Sequence, residues 1–139
     1  SDPENANLIR QARLVNDSKP QYIIDKVVAA LAEIDKPHLA CLGLAFKANV
    51  DDLRESPALA ICKKLAAREG FTISAVEPHI QQLPNSFDNA SNVNLENVAD
   101  AIQTADLVLL LVDHQQFRDI PSLFNLSNVK VIDTRGLWA

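Results

Sequence analysis

Most constraining in this chain is a set of apolar stretches of strand length that do not alternate with polar residues. Residues 38–46 read HLACLGLAF and residues 107–112 read LVLLLV. A strand that faces water on one side alternates, whereas one that is apolar throughout is covered on both faces. Three of the strands expected here are of that kind, and helical segments lie between them. That pattern predicts an open doubly wound α/β domain with a parallel, Rossmann-like sheet, preceded by a helical arm. No internal repeat interrupts it.

The elements follow from periodicity and punctuation. Leu8, Ala12 and Val15 recur at helical spacing over residues 4–17, with Ser1 or Asp2 as cap ahead of Pro3. Pro20 interrupts this helix, and Asp17 or Ser18 caps a second one over about 20–35. Its inward residues are Ile23, Ile24, Val27, Val28, Leu31 and Ile34. Ser56-Pro57 starts a helix that stops at Gly70, with Leu59, Cys62, Leu65 and Ala66 inward. FTISAVEP at 71–78 is a strand ended by proline, and 79–92 is a polar loop. A short strand at 93–95, a helix at 96–104, one or two short helices after Asp113, and a last strand at 129–133 complete the order. The domain division expected is an arm at 1–36 and an α/β domain at 37–139.

Ligands of such folds sit beyond the carboxyl ends of the strands. Four charged places fall there: the loop 46–55, Glu77, Asp113-His114 and Asp133-Arg135. A dinucleotide half needs G-x-G-x-x-G after the first strand, and here Gly43 stands alone before Leu44, Ala45, Phe46 and Lys47. Glu77 holds the position of a ribose-binding acid, but without those glycines it reads as a helix-capping or solvated carboxylate. The helix start at Ser56-Pro57 favours an anion, and Lys47 and Arg54 add positive charge. The same two cations could equally pair with Asp51, Asp52 and Glu55 on the surface. Asp113-His114 reads as a strand-end pair capping the next helix, and Arg135 as a ligand contact or a surface arginine. Phe117, Phe124 and Trp138 read as packing residues. No Ser or Cys is placed with a His partner, and no Cys/His cluster has metal spacing.

A net charge of −5 argues against nucleic-acid binding, and no apolar run reaches membrane-spanning length. Cys41 and Cys62 fall on apolar positions, which predicts buried thiols in a reducing cytoplasm. No methionine occurs anywhere, so the chain is expected to have been cut from a longer polypeptide or processed.

The loop at 43–58, GLAFKANVDDLRESPA, resembles the G-L-A-F-K-x-N-x-D-D-x-R-E-S-P-A motif of the UDP-glucose/GDP-mannose dehydrogenase family. IRQARLVNDSKP at 9–20, VEPHIQQLP at 76–84, LLVDHQQF at 110–117 and VIDTRGLW at 131–138 fit the same family. The last three are most similar to its UDP-N-acetyl-D-mannosamine dehydrogenase branch. The resemblance implies the connecting region and C-terminal UDP-sugar-binding domain of an NAD-dependent 6-dehydrogenase. In that family two hydride transfers to NAD convert a sugar alcohol to an acid through a thioester on a cysteine. That cysteine's G-G-H-C motif and the family's main catalytic lysine lie upstream, and neither Cys41 nor Cys62 replaces it. The chain is therefore expected to carry no catalytic residue and to be inactive alone.

By the same resemblance, Phe46, Lys47 and Arg135 contact the UDP-sugar, and Arg54 reaches toward the NAD phosphates. Asp51, Asp52 and Glu55 orient those cations, and Ala48 stands where the family commonly has proline. Arg10, Arg13 and Asn16 fall in the helix of a homodimer interface. Two alternatives remain: a non-catalytic oligomerisation module built on the apolar arm, or the same domain from a UDP-glucose or other UDP-hexosamine dehydrogenase.

Overall fold

The computed structural model describes residues 19–87 and 90–138. The expected helix at 4–17, its caps, Asp17, Ser18 and the interface residues Arg10, Arg13 and Asn16 lie outside the described residues.

The element order is α1 (Pro20–Ala30), β1 (His38–Leu42), α2 (Pro57–Ala66), β2 (Thr72–Val76), a 3-10 turn (Asn85–Phe87), β3 (Val93–Leu95), α3 (Val98–Thr104), β4 (Leu107–Leu110), a second 3-10 turn (Gln115–Phe117), α4 (Ile120–Leu123) and β5 (Lys130–Asp133). The strands form one parallel sheet in the order β3-β2-β1-β4-β5. The chain leaves β1 toward β2 and β3, then crosses back to β4 and β5. The connections therefore reverse direction between β1 and β4, and this switch point opens a crevice at the carboxyl ends.

Side chains alternate across the sheet, and both faces are covered. Leu39 and Cys41 of β1 and Leu107 and Leu109 of β4 pack with α1 and α2. Ala40, Leu42, Val108 and Leu110 pack with α3, the second 3-10 turn and α4. This two-sided burial is why β1 and β4 lack the alternating pattern. Ile23, Ile24, Val27 and Leu31 share the core of the α2 face, so the second expected helix packs on the sheet.

Three local expectations change. α1 ends at Ala30 instead of about residue 35, and residues 31–36 form turns. Leu31 is the C-cap, with φ −102° and ψ 7°, and Lys36 ahead of Pro37 has φ 53°, outside the right-handed helical region. The N-cap of α1 is Lys19, which makes no side-chain cap bond. On α2 the fully buried stripe is Ala58, Ile61, Cys62 and Leu65, with Leu59 and Ala66 only partly buried. The stripe is rotated because α2 packs against α1 as well as the sheet. Phe117, Phe124 and Trp138 all pack on the other face, as their apolar character predicts.

Candidate functional site

The four charged places do converge at the carboxyl edge. The first wall is built by the turn after β1. Gly43 has φ 101°, and a Cβ there would lie 2.5 Å from the Val112 Cβ and 2.9 Å from its backbone nitrogen. Gly43 therefore lets the ends of β1 and β4 approach closely, a different task from cradling a pyrophosphate. Ser56 caps α2 by accepting the Leu59 N–H (3.1 Å) and donates to the Leu44 carbonyl (2.7 Å). One hydroxyl thus ties the helix start to the strand end.

Glu77 departs from the sequence reading. It is neither solvated nor a helix cap: it is 3% exposed, and its carboxylate accepts four hydrogen bonds. Oε1 accepts the Leu44 N–H (2.9 Å), the Ala45 N–H (3.1 Å) and His114 Nε2–H (2.9 Å), and Oε2 accepts the His79 N–H (3.1 Å). The amides that a glycine-rich loop would offer to a phosphate are here held by an internal carboxylate. Burial pushes the Glu77 carboxyl up, but the His114 bond and the Leu44 and His79 amides outweigh it, so its pKa falls below the ordinary value.

His114 is fully buried and stands at the N-cap of the 3-10 turn that follows, where its carbonyl accepts the Phe117 N–H (3.0 Å) but its side chain makes no cap bond. Its Nδ1 accepts the Asn49 N–H (2.8 Å), which requires Nδ1 to be unprotonated. Nε2 therefore carries the proton and donates it to Glu77. The Asn49 Oδ1 in turn accepts the Gln115 N–H (2.9 Å). Asn49 has φ 63°, a conformation that asparagine tolerates better than most residues. Ligand atoms of Glu77, His79 and His114 lie within 4.8 Å of one another, and His79 Nε2 is buried with no partner among the described residues. A cation would need the Nε2 lone pair that the protonated His114 lacks, and a carboxylate already accepting four bonds. The cluster is a latch rather than a metal site.

Asp133 makes a second carboxylate clamp. It is 1% exposed and accepts the N–H groups of Arg135 (3.0 Å), Gly136 (2.8 Å) and Trp138 (2.8 Å). Trp138 Nε1–H closes the turn by donating to the Phe117 carbonyl (2.8 Å).

Between these walls lies a cleft of about 110 Å³, lined by residues that include Ala45, Phe46, Lys47, Ala58, Asp113 and Arg135. Phe46, Lys47 and Arg135 are thereby brought together. Phe46 is 55% exposed at the mouth, and Lys47 makes no ion pair among the described residues. Arg135 lies 3.5 Å from the Asp113 carboxylate. Arg54 is set apart, in a shallow depression with Phe46, Asp52 and Glu55. Its guanidinium grips Asp52 through two bonds of 3.1 Å, which lower the Asp52 pKa by hydrogen bonding. The surface-pair alternative thus describes Arg54 but not Lys47. Asp51 and Glu55 make no ion pair among the described residues.

Fold and site define a doubly wound α/β domain with a small cationic cleft at its topological switch point, without the glycine cradle of a dinucleotide half. The family model of the UDP-glucose/GDP-mannose dehydrogenase family, UDP binding domain, matches residues 40–139. The chain belongs to that family and comprises its UDP-binding domain. It is 49% identical over 137 residues to the NDP-N-acetyl-D-galactosaminuronic acid dehydrogenase of Ralstonia solanacearum, covering 99% of this chain and 31% of that protein. It is 43% identical over 145 residues to the UDP-N-acetyl-D-mannosamine dehydrogenase of Escherichia coli K12, covering 99% of this chain and 34% of that protein. The chain thus spans about a third of the length of the curated relatives it matches. The solved UDP-N-acetyl-mannosamine dehydrogenase of Staphylococcus aureus superposes with a TM-score of 0.63 at 29% identity, over 83% of this chain and 25% of that one. The Pyrococcus horikoshii enzyme, a UDP-D-ManNAc dehydrogenase, shares the fold with a TM-score of 0.65 at 22% identity, over 86% of this chain and 28% of that one.

The sequence reading missed Asn49 and the true tasks of Glu77 and His114. One signal was present: without glycines or ligand, the buried amides of Leu44 and Ala45 require an internal acceptor.

Proposed function

We propose that the cleft binds the diphosphate end of a UDP-sugar and that the chain is the substrate-holding part of an NAD-dependent 6-dehydrogenase. The observation that carries this reading is Lys47, without an ion pair among the described residues, beside Arg135 and the exposed Phe46, at the crevice where α/β sheets hold ligands. Lys47 would contact a phosphate as a point charge, Arg135 as a planar fork, and Phe46 would offer the nucleotide an apolar face. At about 110 Å³ the cleft is smaller than the ~300 Å³ of a typical ligand pocket. It therefore forms one wall of the nucleotide site. Binding energy gathered here would orient the remote C6 carbon.

The sugar is a UDP-N-acetylhexosamine, with UDP-N-acetyl-D-mannosamine the preferred candidate because several relatives at 40–45% identity carry that name. The relative named for N-acetyl-D-galactosaminuronic acid keeps other hexosamines as the alternative. NAD does not fit the first-loop cradle of this domain, because Glu77 occupies the Leu44 and Ala45 amides. Arg54 would instead meet the cofactor from the side, with Asp52 orienting it and Asp51 and Glu55 shaping the loop. Residues 1–36 would supply a homodimer interface through Arg10, Arg13 and Asn16, and residues 37–139 the nucleotide domain. With Cys41 and Cys62 free and buried, the cytoplasm is the expected compartment.

Thermal unfolding tests this. UDP at ten times its Kd adds about 1.4 kcal/mol, a rise of about 5 °C for a domain this size. Lys47→Ala should abolish the rise. An unchanged midpoint at millimolar UDP would overturn the reading.

A further inference from the structure

We propose that His114 is a positioning residue for the cleft: its unprotonated Nδ1 latches the loop after β1 to the loop after β4 and so sets the width of the crevice between them. This inference rests on the nucleotide reading of the cleft. The latch has two bonds, Asn49 N–H to His114 Nδ1 (2.8 Å) and Gln115 N–H to Asn49 Oδ1 (2.9 Å). Both cross from one wall of the crevice to the other. Asn49 stands two residues beyond Lys47, and Asp113, which faces Arg135, immediately precedes His114. Displacing Asn49 therefore moves Lys47 relative to Arg135.

The ring is held in place for this task. Glu77 fixes its Nε2 at 2.9 Å, His79 packs on it with centroids 4.7 Å apart, and Phe117 meets it edge-on at 5.5 Å. The two ring nitrogens thus have separable jobs: Nε2 serves the buried carboxylate, and Nδ1 serves the loop. The ring nitrogens reach the cleft lining by two routes, through Asn49 from Nδ1 and through Glu77, which also holds the Ala45 N–H (3.1 Å), from Nε2. The effect on binding is assigned to the first.

Two substitutions separate the jobs. His114→Asn places an amide oxygen near the Nδ1 position and gives up the Glu77 bond. His114→Gln places an amide nitrogen near the Nε2 position and gives up the Asn49 bond. The expected result is that His114→Gln weakens UDP binding by about fivefold to tenfold, the worth of one ordering hydrogen bond. His114→Asn should restore affinity toward the parent value even though it melts lower. Amide hydrogen exchange provides a readout that needs no ligand: Asn49 should lose protection in His114→Gln and keep it in His114→Asn. Affinity and Asn49 protection that follow melting temperature in both variants would make His114 merely structural and overturn the proposal. An unmodified chain that fails to bind UDP would instead overturn the nucleotide reading, while Asn49 exchange would still report whether Nδ1 holds the loop.

Discussion

Replacing Glu77 with glutamine changes one oxygen for one amide nitrogen at nearly constant volume, so it isolates charge and hydrogen bonding. The carboxylate faces four donors at 2.9–3.1 Å: the Leu44, Ala45 and His79 amides and His114 Nε2–H. The best orientation of the new side-chain amide keeps its oxygen on the three donors at the Oε1 position. Its NH2 group then faces the His79 N–H, donor against donor. One charge-assisted bond is lost outright and three are weakened to neutral ones. The loss of the one bond and the charge is worth about 2–3 kcal/mol at pH 7. The pH dependence has a definite sign. The native pKa of Glu77 lies below the ordinary 4.5, so over that interval the unfolded chain binds more protons. The stability due to its charge is full above about 4.5 and is lost as pH falls through the native value. Urea unfolding followed by circular dichroism at pH 7, 5, 4 and 3 gives the comparison directly. The gap between the parent and Glu77→Gln should be about 1 M in midpoint at pH 7, for a slope near 2 kcal/mol/M, and should narrow as pH falls below the ordinary 4.5. A gap under about 0.5 kcal/mol at pH 7, or one that persists unchanged to pH 3, would refute the clamp.

Two further outcomes follow from the same wall. Gly43→Ala should cost about 3 kcal/mol or more, because the new Cβ meets Val112 Cβ at 2.5 Å and the backbone stays at φ 101°; an unchanged urea midpoint would contradict it. Ser56→Ala removes the cap of α2 and the tie to the Leu44 carbonyl, for a loss of about 1–2 kcal/mol by the same assay, with Ser56→Thr recovering part of it.

The fold was legible where the chain's own pattern carries it. Continuous apolar runs predict strands covered on both faces, and β1 and β4 are so covered. Ser56-Pro57 marks a helix start, and the cap forms there. Local pattern fails where a distant contact decides. The packing of α2 against α1 as well as the sheet fixes how α2 is rotated, and that does not follow from helical spacing. Glu77 was misread because its partners Leu44, Ala45 and His114 lie 33, 32 and 37 residues away. In isolation an acid after a strand reads as solvated. The pairing of Arg54 with Asp52, two residues away, was within reach of local reasoning, and it was among the alternatives.

The central claim is that the crevice between β1 and β4 is a nucleotide site. Titrating the 15N-labelled chain with UDP and following its amide chemical shifts tests it most directly. The account predicts that the largest shifts fall at residues 45–47, 111–113 and 134–135, and that uridine alone reproduces few of them. Absence of shifts at millimolar UDP, or shifts centred on the opposite sheet edge around Arg68, Gly70 and Phe71, would contradict it.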